Sequence, residues 1–364
     1  LLPWPFIPVT AANLPDGRIV SFASNERTNF PVGPEFTYAG VWNPTTGEHT
    51  EINNDNHDMF CAAPAMGIDG KPIFPGGRNS VRFTTVFDYE NDAWVRVEDM
   101  NDGRWYAAST TLPNGSILTA SGNRGTGINT VERYTAGSGW TRLLGVPWNG
   151  IQTKAFPHNF VAPDGRIIYA GPAGNMMWID TTGSGQLTST SAIFPGNRID
   201  QSGGVLMYDI GKILFAGGGV SGGGTTNVAH AVDINSATPL VTAVAPMQFN
   251  RRYHNALMLP DGKPIMIGGN SSGLQFRDTG TIYAPETWDP TTDSWQELAD
   301  MSKPRNYHSV ALMLPDGRVF SGGGGLSSYA PANHQDAQIF SPPYLFNPDG
   351  SPATRPTITA APEI

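Results

Sequence analysis

Few side chains in this chain can do metal or redox chemistry. There are seven histidines (His49, His57, His158, His230, His254, His308 and His334) and a single cysteine, Cys61. None lies in an HExxH or CxxC spacing, so nothing points to a hydrolytic zinc centre. No GxSxG nucleophile elbow occurs. Gly322–Gly325 follow an apolar run and do not open a helix, so they do not form a phosphate loop. The paired carboxylates that a glycosidase needs are not evident. One cysteine excludes an intrachain disulfide. Tyr, His and Cys remain. Three segments share one spacing: Met100, Arg104 and Tyr106; Met247, Arg251 and Tyr253; Met301, Arg305 and Tyr307. Two continue with histidine, as Tyr253-His254 and Tyr307-His308. The arginines beside these tyrosines read as ties between neighbouring structural units.

A repeated element must position these residues. A turn flanked by apolar residues and closed by small ones recurs seven times: LPDGRIVSFAS, GIDGKPIFPGG, LPNGSILTASG, APDGRIIYAGP, YDIGKILFAGG, LPDGKPIMIGG and LPDGRVFSGGG. The turn glycines are Gly17, Gly70, Gly115, Gly165, Gly211, Gly262 and Gly317, spaced by 53, 45, 50, 46, 51 and 55 residues. Asp-Gly and Asn-Gly supply the positive φ of a tight hairpin, and the apolar run that follows is a buried strand. A further strand follows in most copies, as in Val86-Phe87-Asp88-Tyr89, often with a tryptophan beyond it (Trp94, Trp140, Trp295). Four strands per period of about 50 residues is the kelch pattern. The expected fold is therefore all-β, a seven-bladed propeller, with each Met-Arg-Tyr segment opening the first strand of a blade beside the central channel.

Composition agrees. Gly (43) and Pro (31) make up about a fifth of the 364 residues, without a collagen period. At 39% hydrophobic the chain can bury a large core, and a net charge of −9 argues against a nucleic-acid footprint. The apolar runs are too short and broken to span a membrane. The start, Leu1-Leu2-Pro3, lacks a charged segment followed by an apolar run. Low charge with much Gly, Ser, Thr and Asn resembles secreted proteins, so an extracellular location is expected.

At Cys61 the sequence resembles a known family. His57-Asp58-Met59-Phe60-Cys61 resembles the cysteine segment of the copper-radical oxidases, the galactose oxidase and glyoxal oxidase family. Arg104-Trp105-Tyr106 resembles the tyrosine segment that follows it there. Tyr307-His308-Ser309, the GGGGL run, Asn333-His334, Asp336-Ala337-Gln338-Ile339-Phe340 and Tyr344-Leu345 resemble its most distinctive stretch. The resemblance implies a copper site with Tyr106, Tyr307 and His308 as ligands. Tyr106, joined to Cys61 by a thioether, would carry a protein radical, and Tyr307 would take the substrate's hydroxyl proton. Imidazole and phenolate donors suit Cu(II) better than zinc. The implied reaction oxidises a primary alcohol to an aldehyde, or an aldehyde hydrate to an acid, and reduces O2 to H2O2. A non-catalytic kelch binding module, the rival reading, has no need of Cys61, Tyr106, Tyr307 and His308 together. In a regular strand adjacent side chains face opposite ways, so Tyr307 and His308 can share a metal only at an irregular start to their strand.

The resemblance also implies a substrate pocket containing Phe30, Arg124, Gln275 and Phe276. Gln275 replaces a proline there, Arg124 a tryptophan that stacks on the thioether, and the sugar-gripping arginine has only Lys154 as its nearest counterpart. These departures point away from galactose. His57 and His254 are expected to be structural and Trp105 to face a neighbouring blade, while a place behind the ligands is the lesser of two readings of His334. A second histidine ligand is implied from a C-terminal sandwich domain. Residues 1–350 are expected to form the propeller and 351–364 a linker into a domain absent from this chain, with His334 or His230 as the alternative ligand.

Overall fold

The structure, a computed structural model, describes residues 1–79, 81–122, 130–148, 155–172, 175–194, 202–219, 223–328 and 330–357. Seven four-stranded antiparallel sheets are arranged as blades around a channel. Their first strands are Thr10–Asn13, Ala65–Met66, Ala108–Thr111, Asn159–Val161, Gly204–Asp209, Arg252–Met258 and Ser309–Met313. These strands pack on one another around the axis, so the fold is the all-β seven-bladed propeller expected from the hairpins. Each hairpin joins the first and second strands of its blade. In blade 1 the Gly17 N–H donates to the Leu14 carbonyl at 2.9 Å with φ +86°, and Gly115, Gly165, Gly262 and Gly317 repeat that geometry. A left-handed residue at the end of such a turn favours glycine.

Ring closure has no counterpart in the hairpin repeat. The outer strand of blade 7 is Leu2–Pro3, from the start of the chain, paired antiparallel with Asp336–Phe340. Two residues carry no periodicity, so the pattern cannot reveal this strand.

The core lies between blades. Val20, Phe22 and Val41 of blade 1 pack with Phe74 and Phe87 of blade 2, and burying such side chains is the main favourable term in folding. The outer-strand tryptophans add polar ties to the preceding blade. Trp94, Trp140 and Trp295 donate their indole N–H to the carbonyls of Ile52, Glu98 and Ala245 at 2.7, 3.0 and 2.6 Å.

The three repeated arginines, all fully buried, tie blades in two directions. Each guanidinium reaches into its own blade and meets a carboxylate there: Arg104 with Glu132 at 3.2 Å, Arg251 with Glu286 at 2.5 Å and Arg305 with Asp336 at 2.5 Å. Each carbonyl accepts an N–H from the preceding blade, from Gly77, Gly218 and Gly269. A side chain at the neighbouring Gly268 would collide with the Arg305 carbonyl, which explains the small residues that end each hairpin.

Two predictions follow from this packing. Glu286→Leu strands the Arg251 guanidinium in the interior, and a loss of about 3–5 kcal/mol is expected from the urea unfolding midpoint. A loss within about 1 kcal/mol, the worth of one ordinary hydrogen bond, would mean that the Gly268 and Ala284 carbonyls alone satisfy the arginine. The second concerns pH. Burial holds His57 and His254 down to about 3 and His49 down to about 4. Above a pH of about 6.5 these rings are neutral in both states. Below it the unfolded chain takes up protons that the fold refuses, so stability falls with pH until the folded pKa is passed. The melting temperature should drop steadily between about pH 6.5 and 4, and a flat profile there would contradict this origin.

Candidate metal centre

One backbone feature gathers the reactive side chains. Cys61, Tyr106, Phe156, Tyr253 and His308 all have left-handed φ, between +48° and +68°. Each lies nine residues before its blade's turn glycine. All five stand where the chain turns into an innermost strand, and a non-glycine residue held in this region costs on the order of 1 kcal/mol. The twist breaks the alternation of a strand, so two consecutive side chains turn to one side. The Tyr307 and His308 rings stack at 4.0 Å and 29°, and those of Trp105 and Tyr106 at 4.1 Å and 21°. The irregular start required of Tyr307-His308 is thus present. Trp105, from blade 3, stacks on Tyr106 and also packs against the cluster that holds Phe60 and Cys61 of blade 2, so it faces a neighbouring blade as expected.

Cys61, Tyr106, Tyr307 and His308, from blades 2, 3 and 7, line one cavity of about 440 Å³ at the channel, with Phe156 and Asn255 beside them. The Tyr106 phenol lies close enough to the Cys61 thiol and the Tyr307 phenol for each to perturb its ionisation, and the Tyr106 N–H donates to the Cys61 carbonyl at 3.3 Å. Burial pushes the phenols of Tyr106 and Tyr307 above the ordinary tyrosine range, and the neighbouring Cys61 adds to the shift. Burial also pushes the Cys61 thiol up. His308 is held down to about 4 by burial. Its Nδ1–H donates to the Gly325 carbonyl at 2.7 Å. That bond fixes the tautomer and leaves Nε2 buried without a hydrogen-bond partner. A buried lone pair with no donor is costly in a closed protein and suits a metal.

The donor set fits a cation of intermediate softness. Among the described residues no three His, Cys, Asp or Glu side chains cluster as a metal site, so ligation here depends on phenolate oxygen beside one imidazole. Such N,O donors favour Cu(II). A bound cation would also reverse the burial penalty on both phenols.

Four other histidines are held elsewhere, although His254 Nδ1 is also buried without a hydrogen-bond partner. His57, fully buried, holds Thr85 Oγ1 at 2.9 Å and the Gly76 carbonyl at 2.7 Å, so it is structural as expected. His254 Nε2 accepts the Gly204 N–H at 2.9 Å. His334 Nε2 donates to Asp278, at 3.0 Å from Oδ2 and 3.2 Å from Oδ1. His230, on the third strand of blade 5, packs edge-on against Phe194. Neither His334 nor His230 joins the other donors.

Phe30, Gln275 and Phe276 line one open cleft of about 940 Å³, together with Arg277 and Ser327. Phe30 and Phe276 pack against His308 at 6.0 and 5.4 Å, and Phe60 stacks on Phe30 at 4.8 Å. The cleft therefore ends on the back of the donor cluster. Arg124 and Lys154 lie outside the described residues. Sequence reasoning missed Phe156, whose ring lies 5.1 Å from Tyr106; the available signal was its place nine residues before Gly165. It also missed Asp58, a fully buried carboxyl near Glu35 that burial pushes up to about 7.

No protein-family profile matches the chain. A galactose oxidase of Gibberella zeae is 34% identical over 382 aligned positions, which take in 98% of this chain and 56% of that protein. An aldehyde oxidase of Vitis pseudoreticulata is 26% identical, over 84% of this chain and 64% of its own length. The chain thus spans between half and two thirds of the length of these two curated relatives. The solved structure of a fungal alcohol oxidase of the AA5 family, in complex with copper, superposes with a TM-score of 0.91 at 32% identity, over 98% of this chain and 79% of that one. With a third of its residues shared along nearly its whole length and the same fold throughout, the chain belongs to the family of galactose oxidase and the glyoxal oxidases, the copper-radical oxidases.

Proposed function

We propose that the chain is the catalytic propeller of an extracellular copper-radical oxidase acting on small or aromatic primary alcohols or on aldehyde hydrates. The observation that carries this reading is the buried, partnerless Nε2 of His308 in a cavity shared with Tyr106, Tyr307 and Cys61. Tyr106, Tyr307 and His308 would hold copper. Bound copper would supply one electron-accepting equivalent and make the substrate hydroxyl more acidic. Tyr307 takes the hydroxyl proton as general base. Tyr106, tied to Cys61, supplies the second equivalent as a phenoxyl radical, which the ring thioether makes easier to form. The overall balance is RCH2OH + O2 → RCHO + H2O2. Phe30 and Phe276 hold an apolar substituent, and Gln275 offers one amide for a polar one.

Three donors leave a coordination position open, and the cavity that they line is large enough to admit another segment. We assign the further imidazole to such a segment, reaching the channel from a domain after residue 350 or from a second chain. This also gives residues 351–357 their role as a linker, with one isolated bridge between Phe346 and Pro352 at its start.

Two outcomes are expected. After loading with copper in air, intact mass should fall by about 2 Da as the Cys61 S–H and a Tyr106 ring C–H become one C–S bond with O2 as oxidant. The Cys61→Ser variant should show no such loss, and an unchanged mass in the copper-loaded parent would refute the crosslink. In a peroxide assay, aryl and short-chain primary alcohols or aldehydes should be turned over faster than galactose, because Phe30 and Phe276 give the cleft aromatic walls that favour apolar substituents over a sugar. Galactose emerging as the best substrate would overturn the cleft assignment, and failure to bind copper would overturn the functional reading itself.

A further inference from the structure

A loop on blade 7 joins the two walls of the cleft to the donor cluster. The Asn333 amide donates to the Thr28 carbonyl at 2.8 Å, next to Asn29 and Phe30. The adjacent His334 donates to both oxygens of Asp278, two residues beyond Phe276. One dipeptide therefore grips both walls. Asp278 Oδ1 also accepts from the Asn306 amide at 3.2 Å. That amide donates as well to the Arg277 carbonyl at 3.0 Å and Thr281 Oγ1 at 3.1 Å. Asn306, almost fully buried, directly precedes Tyr307. A second path runs through the glycines. The His334 N–H donates to the Gly324 carbonyl at 2.9 Å, and the next N–H, from Gly325, donates to the Tyr307 carbonyl at 2.8 Å. The Gly325 carbonyl receives His308 Nδ1–H. A side chain on Gly325 would collide with the Ala332 carbonyl, so this packing leaves little slack.

We infer that His334 and Asp278 are positioning residues that fix the width of the substrate cleft and the orientation of the Tyr307-His308 pair. The inference rests on the reading of these two side chains as metal ligands. His334 is only 12% exposed and Asp278 32%, so their bond is sheltered enough to act as a rigid link. Without it Asp278 loses its anchor on the loop, and holding the blade 6 wall with Phe276 against blade 7 is left to the Asn306 amide, just before the left-handed turn. The outcome expected is looser ligand geometry together with a wider cleft.

The test uses the full-length protein as it occurs, with His334→Phe, which removes the donor at similar size, and His334→Gln, which keeps one N–H. In the copper-free form, hydrogen–deuterium exchange around residues 272–278, 304–309 and 324–328 should be faster in His334→Phe than in the parent. With copper, His334→Phe should shift the Cu(II) electron paramagnetic resonance spectrum and weaken copper by about tenfold, the lower end of what outer-shell partners contribute. KM should rise for an aryl alcohol more than for a short alkyl alcohol, with kcat falling for both. His334→Gln should recover most of the exchange protection and of the spectrum. Native exchange, spectrum and KM in His334→Phe would overturn the inference. A parent that binds no copper would instead overturn the functional reading, while the exchange data still decide the brace.

Discussion

A left-handed residue at the start of an innermost strand is the constraint on which the site depends. A strand sends neighbouring side chains to opposite faces. A channel-side metal needs several donors from few strands, and a regular strand offers only every second residue. At Tyr307-His308 the positive φ of His308 lets one strand present two donors to the same space. At Tyr106 the same device brings Trp105 against the phenol and turns the phenol toward Cys61. The strain at each position is small beside what the blade ties contribute. The buried arginines hold three of these turns in place, because the carbonyl of each arginine is fixed by the preceding blade only two or three residues earlier.

The fold was legible because its signal is repetitive. Seven turn glycines at near-constant spacing specify seven hairpins, and burial of the apolar run after each turn is the physical reason for the repeat. Closure by Leu2–Pro3 was not legible, since strand pairing between the chain's two ends leaves no mark in two residues. The site was legible in type and partly in geometry. Setting aside zinc, serine and carboxylate chemistry leaves the residue types Tyr, His and Cys; the resemblance to the copper-radical oxidases then singles out Tyr106, Tyr307, His308 and Cys61, and the structure brings all four to one cavity. Counting back nine residues from each turn glycine would have flagged the left-handed positions, and Phe156 with them. The bond between His334 and Asp278 joins residues 56 positions apart on different blades, and no periodicity encodes such a contact.

The histidines show how burial sorts one residue type into different roles. His57 and His254 are as deeply buried as His308, and burial lowers the pKa of all three. What separates them is where the free nitrogen lies. Both ring nitrogens of His57 are engaged, while His254 and His308 are each held at one nitrogen and bare at the other. Of these two, only His308 lines the cavity shared with Tyr106, Tyr307 and Cys61.

The N-terminal strand that completes blade 7 also imposes an order on assembly. A chain made from its N terminus exposes Cys61 and Tyr106 early, with Tyr307 and His308 following 201 residues after Tyr106. The two halves of the site meet only when Leu2–Pro3 finds Asp336–Phe340 and the ring shuts. Until then a thiol and a phenol lie together without the imidazole. Under the proposed copper chemistry, a nascent ring with its seventh blade unformed would be a poor trap for the metal, and oxidation of the cysteine would wait for the finished fold.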